Sequence, residues 1–221
     1  MTAMLLSYPV TLMTRTMTQP KRHATVMERK RQVTRDVVLD AVVDVVRDRG
    51  FAFSVQEVAD RAGLAHRTVY RHFPTREALI DGIAERFEAS FAERGFTEGD
   101  TIDEVVDRIG ARFAWFDSES DLVHAVAVKT LATGQRTPPS RRRGERMRAL
   151  IREKYPNLPA DETEAAFVAM RALIGMIGWH LMTSDGVASD VAAQTVHRMA
   201  EVALADLESR DAEAADAAAG G

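Results

Sequence analysis

The sequence predicts an all-α protein: an N-terminal helix-turn-helix unit joined to a larger helical body. Three observations predict it. Apolar residues recur at helical spacing from about Gln32 to about residue 208. No strand-like alternation bounded by hairpin turns occurs anywhere in the 221 residues. Glycine, proline and Ser/Thr/Asp cap residues divide the chain into helix-sized segments. The absence of cysteine excludes disulfide frameworks and thiolate metal sites.

Residues 1–30 are rich in Met and Thr, lack periodicity and end in the basic stretch PKRHATVMERKR, so a disordered basic arm is expected there. Met17 and Met27 offer alternative starts to Met1. The short apolar run MTAMLLSYPVTLM has no basic residues before it and is interrupted by Pro9, which argues against a signal peptide. From Gln32 the pattern turns helical, with Val38, Ala41, Val42, Val45 and Val46 on one side and Asp40, Asp44, Arg47 and Asp48 on the other. So many β-branched residues lower intrinsic helicity, and this helix must depend on packing. Gly50 ends it.

A capping box follows, in which Ser54 and Glu57 satisfy each other's backbone amides at the start of a short helix. Val58, Ala59 and Ala62 form its apolar face, and Gly63 closes it. A third helix spans Ala65–Phe73, Pro74 breaks the chain, and Thr75 caps a fourth helix with Glu77 in its first turn. Beyond it, stop signals at ERGFTEGD, DSES, ATGQRTPPS, YPNLPAD and TSDG bound helical segments near 101–117, 120–133, 140–154, 160–183 and 188–208. The tail DAEAADAAAGG is low in complexity and is expected to fray. The expected units are therefore the arm 1–30, a helix-turn-helix unit 31–78, a helical body 79–209 and a flexible tail 210–221.

The apolar segment Ala165–Met182 carries Arg171 and His180, which suit a buried helix of a soluble protein better than a membrane span. A cytoplasmic location is expected. Net charge is −4, unevenly spread: residues 1–86 hold 14 Lys and Arg against 10 Asp and Glu, whereas residues 87–221 hold 15 against 23. A basic front on an acidic body fits a protein that meets an anion at one end.

On a helical wheel, Val69 and Phe73 face the core, joined by Leu64 and Ala62 from the turn. His66, Arg67, Thr68, Tyr70 and Arg71 fall on or beside the opposite face, with His72 at its flank. A helix of hydrogen-bond donors held behind a glycine turn is the form that enters a DNA major groove. A merely solvated face is the alternative. Residues 53–79, FSVQEVADRAGLAHRTVYRHFPTREAL, resemble the DNA-binding domain of TetR-family transcriptional regulators. The matching positions are Ala59, Gly63, Leu64, Thr68, Tyr70, His72, Phe73, Thr75 and Arg76. One position departs, because Ala65 stands where the family usually places a capping serine.

The resemblance implies that Tyr70, His72 and Arg76 bind phosphates, with Ser54 and the amides of its helix start on the other flank. It further implies that His66, Arg67 and Thr68 face base edges, that Gln56 is a fourth reader, and that Arg71 takes either role. Arg67 bidentate to a guanine would contribute about 1–3 kcal/mol of discrimination. The family likeness also implies a homodimer on a palindromic operator, released by a small-molecule effector held in the body. Phe167, Ile174, Gly175 and Gly178 in AFVAMRALIGMIGWHLM, with Ala192, Val196, Met199 and Ala203 further on, are the expected dimer contacts, with burial inside a monomer as the alternative. Candidate effector contacts are Phe91, Phe113, Trp115, Phe116, His124, Met147, Met170 and Trp179, each with plain core packing as its alternative.

The basic run PPSRRRGERMRALIREK is expected to cover a solvated face opposite Met147, Leu150 and Ile151, with a second anion site as the alternative. No cofactor, metal or membrane partner is expected. Rival readings are a helical protein–protein adaptor and a small-molecule enzyme. No P-loop, GxSxG, HExxH or GxGxxG motif supports the enzyme, and His66 and His72 are six apart, a poor metal pair.

Overall fold

The computed structural model describes residues 25–92 and 100–220. These form eleven helices and no strands, as the periodicity requires. Most of the expected arm, and the stop signal near residues 93–99, lie outside the described residues.

Helix α1 (Val26–Arg49) begins earlier than the apolar pattern suggests. Thr25 and Glu28 form a capping box, so the helix starts in the basic stretch and the last residues of the expected arm are helical. Its valines at 38, 42, 45 and 46 are buried against α2 (Val55–Ala62) and α4 (Arg76–Ala92). Ser54 caps α2: its hydroxyl accepts from the Glu57 N–H at 3.2 Å, and the Glu57 carboxylate accepts from the Ser54 N–H at 2.7 Å. Gly63 ends α2 in the left-handed conformation that a β-carbon disfavours, with φ 65°. The chain turns there into α3 (His66–His72), anchored by the buried Val69 and by Phe73 just past its end. Gly82 lets α4 lie close on this unit. A β-carbon there would stand 2.8 Å from both Leu39 Cδ2 and Phe73 Cε1.

The body continues as α5 (Ile102–Asp107), α6 (Ile109–Ser118), α7 (Ser120–Thr133), α8 (Pro138–Lys154), α9 (Ala160–Ile174), α10 (Met176–Ser184) and α11 (Ser189–Ala219). Helix α7 packs on α1 and α4 from one side and on α10 from the other, so it joins the N-terminal unit to the body. Arg47 and Asp121 add an ion pair at 2.8 Å across that junction. The segment expected as one helix over 101–117 is two, meeting at Arg108.

The segment expected over 160–183 is also broken, at Gly175, where α9 and α10 bend by 50°. A β-carbon at Gly175 would sit 2.8 Å from the Arg171 carbonyl, and one at Gly178 would sit 2.7 Å from that of Ala172. These glycines therefore serve a sharp bend within one chain, where the sequence suggested close approach between two copies. No single described helix is long and apolar enough to cross a membrane. Helix α11 runs on to Ala219, through most of the tail expected to fray.

Candidate functional site

The α2–α3 unit presents its polar side outward on an apolar base. Val58, Ala59, Val69 and Phe73 are all but inaccessible, while His66, Arg67, Tyr70 and Arg71 are exposed and Thr68 is half-buried. Tyr70 keeps 54 % of its surface free although it is a large ring, and it sits over His66 with ring centroids 6.0 Å apart. Arg67 and Arg71 make no hydrogen bond or ion pair among the described residues, which leaves both forks available to an incoming acceptor.

The flanking candidates are differently placed. The Ser54 hydroxyl is engaged with Glu57, and the Gln56 amide donates to Asp60 at 2.7 Å. Arg76 donates to the Phe51 carbonyl and stacks over the Phe53 ring at 5.2 Å. It ties the start of α4 to the α1–α2 loop, a structural role that its charge alone did not disclose. Ala65 adopts the extended backbone of an N-cap without any side-chain bond, so the start of α3 lacks the usual cap.

Two cations not named from the sequence join this face. Arg31 and Arg35 on α1 lie near enough to His72 to act on its charge. Partial burial, and then Arg71, Arg31 and Arg35, hold the His72 imidazole below its ordinary pKa. Arg35 also donates to the His72 carbonyl at 3.5 Å and covers the Phe73 ring at 4.5 Å. The T-x-x-E signature at Thr25–Glu28 was the available signal, because it extends the first helix back to these residues.

The body holds a cavity of about 100 Å³ between α4, α6, α8 and the α9–α10 bend. Of the expected effector contacts, Phe91, Phe116 and Met147 line it. The other five do not. Phe113, Met170 and Trp179 are fully packed core residues, and Trp115 is wedged against Phe87, Phe91 and Phe116 at 5.3–5.6 Å. His124 faces His180 instead, Nδ1 to Nδ1 at 2.5 Å, and burial lowers the pKa of both rings.

Among the cavity's missed residues are Phe87 and four arginines: Arg112, Arg136, Arg143 and Arg171. Ile174 and Gly175, expected at a dimer interface, line it too. Arg112 is only 7 % exposed, and burial, then Arg108, push its pKa down to about 10, with Arg143 adding to the effect and Asp100 opposing it. It stays charged at neutral pH. Burial, then Arg136 and Arg148, likewise lower the pKa of Arg171.

Of the expected dimer contacts, Phe167, Ile174, Gly178, Ala192 and Val196 are buried within the protomer. Helix α9 is apolar nearly all round, so periodicity could not say which stripe turned inward. Met199 is exposed and Ala203 half-buried. Val168 on α9 and Val191 and Val202 on α11 are exposed as well, Val202 at 71 %.

Fold and exposed helix together define a helix-turn-helix protein with an appended helical body. Comparison with known proteins agrees. Residues 38–83 match the family model for bacterial regulatory proteins of the TetR family. The HTH-type transcriptional regulator AlkX of Mycobacterium tuberculosis (strain ATCC 25618 / H37Rv) is 35 % identical over 68 residues, 30 % of this chain. The match spans about a third, 32 %, of that relative's length. Two solved structures share the fold. A TetR-like transcriptional regulator from Rhodococcus sp. RHA1 superposes with TM-score 0.61 at 19 % identity, covering 78 % of this chain and 96 % of that one. A TetR family transcriptional regulator from Pseudomonas syringae pv. tomato str. DC3000 gives TM-score 0.52 at 23 % identity, covering 75 % and 93 %. The chain is thus similar to TetR-family regulatory proteins over its N-terminal residues 38–83, and to the two solved regulators in its fold.

Proposed function

We propose that the protein is a sequence-specific DNA-binding transcriptional regulator, a homodimeric repressor released from a palindromic operator by a small molecule in the body. The observation that carries this is the outward face of α3. Arg67 and Arg71 make no hydrogen bond or ion pair among the described residues, and Tyr70 is exposed beside the His66 ring, on a helix whose other side is locked into the core. His66, Arg67 and Thr68 would read base edges, while Tyr70, Arg71, His72 and the neighbouring Arg31 would grip phosphates. Ser54, Gln56 and Arg76 would join only by exchanging their present partners. The reading unit is taken as residues 31–78 and the body as 79–209.

Dimerisation would use the exposed apolar residues of α9 and α11. A two-fold pair would set two recognition helices on half-sites about 34 Å apart, one helical turn. Helix α4 connects the two functions, since its first turn is tied to the α1–α2 loop through Arg76 and its last turns line the cavity through Phe87 and Phe91. An effector that prefers one spacing tenfold shifts the balance by about 1.4 kcal/mol.

The test is selection of bound duplexes from a random pool, followed by titration of the selected duplex at several salt concentrations. A palindrome and a log–log slope of about −0.9 per phosphate contact are expected. A flat salt response, or equal affinity for every duplex, would overturn the operator reading in favour of a protein–protein adaptor.

A further inference from the structure

The cavity wall is divided by chemistry. Phe87, Phe91, Phe116 and Met147 make one side apolar. The other side carries the four guanidinium groups, and no Asp or Glu among the described residues lines the cavity. Glu88, just behind α4's aromatic wall, pairs with Arg143 at 2.6 Å and also accepts from the Thr137 hydroxyl. Arg112 has no such partner. Its Nη1 and Nη2 donate only to the carbonyls of Ile174 at 3.4 Å and Val105 at 3.3 Å, both long, and no described carboxylate forms an ion pair with it. A buried cation that donates only to carbonyls, with Arg108 and Arg143 beside it and Asp100 offsetting them only in part, is an unfavourable arrangement that an anion would relieve. The first turn of α10 lines the same place and starts at Gly175 without a side-chain cap, so its positive end adds to the field.

We propose that this cavity takes a small organic acid, a single carboxylate on an aryl or medium-length acyl group. Arg112 and the α10 start receive the carboxylate, Arg136 and Arg171 stand at its rim, and the apolar part lies on Phe87, Phe91, Phe116 and Met147. The proposal rests on the reading of the cavity as an effector site and names the chemical class that site would take. The planar guanidinium fork suits a carboxylate. One unpaired buried cation calls for one negative charge, since a dianion would bring a larger desolvation cost into the same space.

The test uses the full chain with octanoate, decanoate and phenylbutyrate, each beside the alcohol and the amine of equal length. Binding is read by thermal denaturation and by tryptophan fluorescence, since Trp115 packs on three cavity residues, Phe87, Phe91 and Phe116. The acids are expected to raise the Tm and to bind at least about tenfold more tightly than the alcohols, the effect of one charge-assisted hydrogen bond. Arg112→Met should erase that preference, so that acid and alcohol bind alike. Should that variant fail to fold, Arg171→Gln at the half-buried rim should weaken acid binding alone.

Equal binding of acid and alcohol, no binding of any acid, or an acid preference that survives the folded variant, whichever of the two it is, overturns the proposal. DNA affinity for the selected duplex is measured in parallel. Acids that bind without changing it leave the anion site standing and sink the effector reading. Release of DNA by neutral compounds alone does the reverse.

Discussion

Ala65→Ser should stabilise the protein through the recognition helix. Ala65 is exposed and already holds N-cap geometry, φ −61° and ψ 136°, so a serine enters without moving the backbone or meeting a neighbour. Its carbonyl already accepts from the Thr68 and Val69 amides at 2.7 and 3.3 Å. The amides of His66 and Arg67 have no acceptor inside so short a helix, and a serine Oγ can take that of Arg67 or share that of Thr68. Supplying a missing cap contributes about 1 kcal/mol. For a chain of this size that corresponds to roughly 2–4 °C in Tm. Circular dichroism melts of parent and variant, side by side, make the comparison. A Tm that stays within error of the parent, or falls, would show that the start of α3 is satisfied in some other way and would refute the reasoning. Firmer ordering of the same helix should also raise operator affinity, by at most about fivefold for 1 kcal/mol.

Other outcomes follow from the same geometry. Tyr70→Phe should lower affinity for every duplex while leaving the Tm unchanged, whereas Arg67→Ala should also relax base preference in a duplex-selection assay. Gly82→Ala pushes a methyl group against Leu39 and Phe73 and should cost about 1–3 kcal/mol of overpacking, read as a lower urea midpoint. Val202→Glu should shift sedimentation from dimer to monomer without unfolding the chain, since that side chain is the most exposed of the large apolar ones on α11. Acidification should destabilise the fold. His72, His124 and His180 all have folded pKa values below the ordinary 6.5, so the unfolded chain takes up protons first, and stability is lost as pH falls from 6.5 toward the folded values. A Tm that rises on going from pH 7 to pH 5.5 would contradict that sign.

The reading head was largely legible in the sequence because its determinants are local. A capping box, a glycine that must adopt positive φ, and an i,i+4 apolar pair each act within one or two turns, and all of them hold in the structure at Ser54–Glu57, Gly63 and Val69–Phe73. The first helix was placed short for a related reason. Apolar periodicity marks where a helix is buried, whereas α1 begins where it is exposed, and only the Thr25–Glu28 cap records that start. Arg31 and Arg35 lie on that early stretch, and both act on the charge of His72.

The cavity was the least legible part, and the reason is physical. Aromatic and methionine residues in a helical body announce burial, but burial alone does not distinguish a packed core from the wall of a hollow. Phe113, Trp115, Met170 and Trp179 went one way, and Phe91, Phe116 and Met147 the other, according to where α9 bends at Gly175. The arginines hid for the opposite reason, because a charge on an amphipathic helix is read as a solvent-facing residue. Arg143 comes from a run of basic residues that mostly does face water, and Arg112 from the apolar segment IGARFAWF, where it looked like an interruption. Only the convergence of four separate chain segments turns those charges inward on one space. Convergence of that kind is a property of the tertiary fold, so the head could be read from neighbouring residues while the chemistry of the cavity waited on the bend between α9 and α10.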